Sequence, residues 1–304
     1  MSKFLVSVPL VGLSLLLILN GCSYQRDQGK SNQTPTNNPL VMNTGPNVNS
    51  PNVNNPNANI PSPSNIPSPS IGSKNSDVPD LSGGSEFKTR NGQHSSRFSN
   101  VVFYEGPNTS KVVALTFDDG PDTVYTNQIL NILSQNGVKA TFFIVGLRAQ
   151  AHPEMVSRIA QGGHAIGNHS WDHPDLVKLT PQTIKTEIIK TDELLNSILG
   201  YHPQIFRPPY GAASSNDVQL ISSMGFKIID WSVDTRDWAG TPPETIMSYF
   251  YKEFRPGGII LQHCAGGKNE RLDNTVIALT NMISVLKTQG YSFVTIPQLL
   301  NISR

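Results

Sequence analysis

Seven short apolar runs, at residues 112–117, 140–145, 165–167, 205–207, 226–232, 258–261 and 292–295, recur through the last two thirds of the chain. Between them lie stretches of helical periodicity at 125–135, 153–161, 181–199, 216–224, 243–251 and 275–289. Apolar runs this short read as strands buried on both faces. Strands separated by helices pair in parallel, because each crossover returns the chain to the same edge. Seven strands are too many for a small open sheet and one short of a regular eightfold barrel. The expected fold is therefore α/β, a distorted or incomplete (β/α) barrel of about seven parallel strands. The polar clusters Asp118-Asp119, Arg207, Asp234 to Asp237 and His263 all fall at or just beyond the C-terminal ends of these runs. In parallel barrels that rim is where sites are built.

The alternating region defines a domain over residues 101–304. Residues 22–100 are dominated by Asn, Pro, Ser and Gly, with near-repeats such as Ile60-Pro61-Ser62-Pro63-Ser64 and Ile66-Pro67-Ser68-Pro69-Ser70. So little apolar surface cannot offset chain entropy, and a disordered tether is expected. Fully extended at about 3.1 Å per residue, some 70 such residues would reach roughly 200 Å. Residues 1–21 carry one charge, Lys3, ahead of an apolar stretch from Phe4 to Leu19, the layout of an export signal. Leu19-Asn20-Gly21-Cys22 resembles the lipobox of bacterial lipoproteins, which implies lipid on Cys22 and an anchor at the outer face of the cytoplasmic membrane. Loss of residues 1–21 removes Lys3 and turns 23 basic against 22 acidic residues into 22 against 22. A balanced charge argues against a nucleic-acid partner. With Cys22 acylated, Cys264 is the sole remaining cysteine and no intrachain disulfide can form.

Thr116-Phe117-Asp118-Asp119-Gly120-Pro121 sets two carboxylates at a strand end. Neighbouring strand side chains face opposite ways, but a Gly-Pro turn can bring both to one cleft, one holding a metal and the other moving a proton. Asn168-His169-Ser170-Trp171-Asp172-His173 spaces two imidazoles at i and i+4, one face of a helical turn and a grip for one metal ion. Either Asp118 or Asp119 can supply the third ligand. Phe206-Arg207-Pro208-Pro209-Tyr210-Gly211 is a rigid turn whose arginine can orient a carboxylate. Trp231 to Trp238 mixes acids with indoles, as sugar clefts do. His263 ends an apolar strand and becomes a general-acid candidate if Asp237 or Asp234 holds its ring.

Together and in this order, these segments resemble the polysaccharide deacetylases of carbohydrate esterase family 4, the NodB-homology domain, over roughly residues 111–300. The resemblance implies that Asp118 is the catalytic base and that Asp119, His169 and His173 hold a divalent metal, usually zinc. It implies that Arg207 orients Asp118 and that the Tyr210 backbone N–H helps bind the oxyanion. His263 would be the acid, Asp237 its partner, and Trp238 with Leu261 the walls of the acetyl pocket. Many relatives follow the motif histidine with aspartate, whereas this chain has Cys264, which reads as a small buried residue. The expected activity is removal of acetyl from N-acetylglucosamine in a glycan, peptidoglycan or a chitin-like polymer, by a monomer.

Overall fold

The computed structural model describes residues 98–303. The expectations for the signal, Cys22 and most of the tether lie outside the described residues. In chain order the elements are β1 (Val102–Phe103), β2 (Val112–Gly120), α1 (Tyr125–Gln135), β3 (Thr141–Ile144), α2 (Gly146–Ala151), α3 (Pro153–Gln161) and β4 (Ala165–Asn168). Next come α4 (Pro181–Leu199), β5 (Ile205–Phe206), α5 (Ser215–Ser223), β6 (Lys227–Ile229), β7 (Val233–Asp234) and α6 (Pro243–Glu253). The chain closes with β8 (Ile259–His263), α7 (Asp273–Thr288), β9 (Ser292–Phe293) and α8 (Ile296–Leu300).

The strands pair in parallel in the order β1-β6-β5-β4-β3-β2-β8-β7, and β9 pairs with the start of β2. Of the expected strand at 226–232 only residues 227–229 form one, β6, which pairs with β1 and β5. A further strand, β7, lies just beyond it at 233–234 and pairs with β8, so residues 230–232 carry the chain across the gap that keeps the barrel incomplete. The two-residue β1 and the short α2 and α8 were not expected from the sequence, being too short for a periodic signal.

Alternation along β2 explains both sides of the wall. Val113, Leu115 and Phe117 pack outward with Ile129 and Leu133 of α1 and Leu279 and Ile283 of α7. Ala114 points inward with Phe143, Ile205, Ile229 and Ile259, and Ile296 and Leu299 of α8 complete this inner cluster. On α4 the buried Ile184, Ile188, Thr191 and Leu195 keep helical spacing, with Thr180 capping the start and Gly200, at φ 76°, ending the helix. Each such buried Ile or Leu contributes about 1.5–3 kcal/mol relative to an exposed one. The interior is thus apolar at the N-terminal ends of the strands. The same inward row continues through Thr116 to Asp118 and makes the other end polar.

Candidate active site

Asp118 follows the inward row of β2 by strand alternation, which would send Asp119 outward. Asp119 turns back because its own backbone is left-handed, φ 68°, where the pairing of β2 with β3 shifts register between Phe117 and Gly120. The sequence reading credited the Gly-Pro turn. The bend instead lies one residue earlier, in a conformation costing of order 1–3 kcal/mol for a non-glycine residue. Asp119 Oδ1 consequently lies 3.5 Å from His169 Nε2 and 3.3 Å from His173 Nε2.

The two histidines are not on a helical turn, as their spacing suggested. They sit on a loop after β4 in which Ser170 and His173 have φ of 67° and 64°. Asn168 Oδ1 accepts the Ser170 N–H at 2.9 Å and Ser170 Oγ accepts the His173 N–H at 3.1 Å. From α4, Glu187 Oε2 accepts the N–H groups of Trp171 at 2.9 Å and Asp172 at 3.2 Å. Since a carbonyl only accepts, His169 Nδ1–H donates to the Arg207 carbonyl at 2.7 Å, which turns Nε2 toward Asp119.

These residues fit a divalent metal. Ligand atoms of Asp119, His169 and His173 all lie within 4.8 Å of one another. Asp119 Oδ1 is buried with no hydrogen-bond partner among the described residues. Burial pushes the Asp119 carboxyl up, but His169 and the charges of His263 and His173 outweigh it and hold the carboxyl below the usual range. Burial, then the neighbouring His169, lowers His173 to about 4. A carboxylate and neutral imidazoles are the forms that bind metal. Because Glu187 fixes the backbone between the two histidines, Glu187→Ala is expected to weaken divalent-metal binding about 10- to 100-fold. Glu187→Gln, whose amide oxygen can accept the same two bonds, should retain most of it. A competition titration against a chelating dye reads both, and unchanged affinity in the alanine variant would refute the role.

Arg207 is the largest fully buried side chain among the described residues. Its Nη1 donates to Asp118 Oδ1 at 2.7 Å and to Thr116 Oγ1 at 2.9 Å. Nε and Nη2 donate to the carbonyls of Ile229 and Asp230 at 2.9 and 3.0 Å. The guanidinium lies 4.1 Å from the ring centre of Phe143. Asp118 Oδ1 is thereby fixed, while Oδ2 stands 3.8 Å from His169 Nε2.

Asp237, not Asp234, holds His263. Asp237 Oδ1 bonds His263 Nδ1 at 2.7 Å, and its Oδ2 accepts the His263 backbone N–H at 2.9 Å and the Thr275 hydroxyl at 2.9 Å. Burial pulls the His263 imidazole down, but Asp237, helped by Asp119 and Asp118, raises it to about 10. Asp234 caps its own turn through Arg236 N–H. Leu261 is buried on β8, in register with Thr116 and two residues before His263, so it shares the inward face. Trp238, 37% exposed, follows Asp237 directly. Tyr210 has φ 61°, is 59% exposed, and sets its ring edge-on to His173 with centroids 4.6 Å apart. The turn closes through Gly211 N–H to Pro208 O and Ala212 N–H to Pro209 O, bonds that leave the Tyr210 N–H aside. Cys264 is buried, its thiol pushed well up by burial, and it fills the space beside Gly120, where a Cβ would meet its sulfur at 2.4 Å. It is no nucleophile at neutral pH.

Thr116, Glu187 and Thr275 escaped the sequence reading. Strand period two could have revealed Thr116, two residues before Asp118. Glu187 and Thr275 carry no local signal, since each reaches the site from a helix.

A family profile described as polysaccharide deacetylase matches residues 105–229. A peptidoglycan-N-acetylglucosamine deacetylase of Bacillus cereus is 44% identical over 201 residues, 66% of this chain and 72% of that protein. The peptidoglycan-N-acetylglucosamine deacetylase PgdA of Listeria monocytogenes is 39% identical over 191 residues, 63% of this chain but only 39% of its own length. Among solved structures, the Bc1960 peptidoglycan N-acetylglucosamine deacetylase superposes with a TM-score of 0.65 at 44% identity, covering 67% of this chain and 94% of that one. With this likeness spanning most of the Bacillus cereus relative and both structural chains sharing one fold, the chain belongs to the polysaccharide deacetylase family.

Proposed function

We propose that this chain hydrolyses the N-acetyl group of N-acetylglucosamine residues in peptidoglycan, using a divalent metal, zinc by preference, held by Asp119, His169 and His173. One observation carries the reading. The three-ligand cluster lies beside a carboxylate fixed by Arg207 and shares its field with an imidazole fixed by Asp237. A metal in that cluster supplies Lewis-acid chemistry, polarising the amide oxygen and lowering the pKa of water toward about 7. Asp118, held through Oδ1, uses Oδ2 to take the proton of the attacking water. The Tyr210 N–H steadies the oxyanion, a donor of a kind whose loss costs about 10²–10³ in rate. His263, its Nδ1 engaged by Asp237, gives the Nε2 proton to the amine as the C–N bond breaks, leaving acetate and a free amino sugar. Leu261 and Trp238 would enclose the acetyl methyl.

The names of the Bacillus and Listeria relatives support the substrate. An acylated Cys22 and the tether would hold a monomeric catalytic domain outside the cytoplasmic membrane, within reach of the wall. Acetate release from purified peptidoglycan, with mass spectrometry of the digested wall, tests the assignment. Free amino groups should appear on N-acetylglucosamine and vanish with chelator or with Asp119→Ala. A wall left fully acetylated, alongside acetate release from another glycan, would move the substrate elsewhere.

A further inference from the structure

On the glycan-deacetylase reading above, we infer that Thr275, whose hydroxyl α7 carries to Asp237, is a positioning residue for the proton donor His263. Asp237 grips His263 at two points: Oδ1 bonds the ring Nδ1 at 2.7 Å and Oδ2 accepts the backbone N–H at 2.9 Å. Both bonds hold only while the carboxylate keeps one rotation about its Cβ–Cγ bond. That rotation sets where the far ring nitrogen, Nε2, faces. Each oxygen has one further donor, the Trp238 N–H on Oδ1 at 3.0 Å and the Thr275 hydroxyl on Oδ2 at 2.9 Å. A carboxylate offers about four lone-pair sites, so its acceptor capacity is filled.

The two outer donors differ in what they are fixed to. Trp238 is the next residue along, so its N–H moves with Asp237 itself. Thr275 is 1% exposed on α7, a 16-residue helix, and gives the carboxylate an anchor independent of both the turn and the histidine. The turn needs one. It spans only Asp237–Ala239 and is bracketed by left-handed residues, Arg236 at φ 54° and Gly240 at φ 74°. Backbone of that kind in a residue such as arginine persists where its surroundings impose it. The first turn of α7 meets both ends, Thr275 at Asp237 and Asn274 Nδ2 at the Gly240 carbonyl, 3.4 Å away. Thr186, Thr191, Thr280 and Thr288 each return their hydroxyl to the carbonyl four residues back on their own helix. Thr275 sends its hydroxyl across to another segment, where a charged acceptor makes the bond stronger.

The test uses the full chain supplied with zinc and two variants. Thr275→Val keeps the volume and β-branching but deletes the hydroxyl, whereas Thr275→Ser keeps the hydroxyl. Two substrates carry the same acetyl group on different leaving groups: chitotetraose, whose amine needs a proton as the C–N bond breaks, and para-nitrophenyl acetate, whose phenolate leaves without one. In Thr275→Val, kcat on chitotetraose should fall about tenfold at unchanged KM, while the metal-dependent rate on the ester stays within about twofold. Thr275→Ser should recover the amide rate. Equal losses on both substrates would make the hydroxyl merely structural, and an unchanged amide rate in the valine variant, or no recovery with serine, would equally overturn the role. The magnetic resonance signal of His263 Nδ1–H, in protein with isotope-labelled histidine, reads the positioning without turnover. Its exchange with water should quicken about tenfold in Thr275→Val but not in Thr275→Ser, and equal exchange in all three proteins would overturn the inference. A zinc-supplied wild type that releases no acetate from chitotetraose or peptidoglycan would reject the deacetylase reading, while the exchange rates still judge Thr275.

Discussion

Asp118→Asn is expected to lower turnover about 10²–10⁴-fold, the range for loss of a general base, while the protein still takes up one equivalent of metal. The substitution is nearly isosteric, and an amide oxygen can still accept from Arg207 Nη1, now at 2.7 Å from the carboxylate. It removes the basic oxygen that faces the histidines. It also removes the counter-charge of a fully buried guanidinium, and stranding a buried charge costs about 3–5 kcal/mol where nothing else compensates. Here compensation exists: Arg207 keeps Thr116 Oγ1, two backbone carbonyls and the face of Phe143. The loss of stability should therefore fall at or below that range, and assays well under the lowered Tm separate folding from chemistry. Asp119→Ala gives the contrasting result, loss of metal together with turnover. An Asp118→Asn protein that works within a few-fold of wild type, or one that is folded but metal-free, would reverse the division of labour between the two acids.

How far the sequence carried this site depends on how local each determinant is. The strands that build the wall were legible because both their faces are buried and their apolar runs are unbroken, as at Val112 to Leu115. The ligands were legible as residue types at strand ends. Their conformations were not, because Asp119, Ser170, His173 and Tyr210 all adopt positive φ, which ordinary propensities disfavour. Local rules fail at just such positions when tertiary contacts impose a geometry suited to a site. The helical reading of the His169 and His173 spacing failed for the same reason: Glu187, 14 residues beyond His173, holds the intervening backbone in a loop. The local residue pattern alone does not separate Asp237 from Asp234 either, and only the family resemblance singles out Asp237. Two acids three residues apart looked alike until the turn at Arg236, φ 54°, aimed one at His263 and left the other to its own backbone.

His263→Gln is expected to reduce kcat about 10²–10⁴-fold with metal binding intact, and the pH dependence identifies why. Asp237 and the site carboxylates raise the imidazole to about 10, so at neutral pH it is protonated and able to donate. The kcat profile should accordingly fall on the alkaline side as that proton is lost. A cation among the ligands offsets the share contributed by Asp119 and Asp118 and draws this limb below 10, leaving Asp237 as its main support. Asp237→Asn deletes that support while keeping an oxygen for Nδ1–H, so the limb should move to lower pH and kcat at alkaline pH should fall most. Stability follows the same linkage. The folded imidazole titrates above the unfolded value of about 6.5, so the pair's contribution is full below that pH and disappears as pH rises through the folded pKa. The Tm difference between wild type and Asp237→Asn should then be largest near neutrality and shrink toward pH 10. A structural role for Asp237 alone would lower Tm equally at every pH and leave the limb in place. A stationary limb, or near-normal turnover in His263→Gln, would assign the leaving-group proton to a different donor.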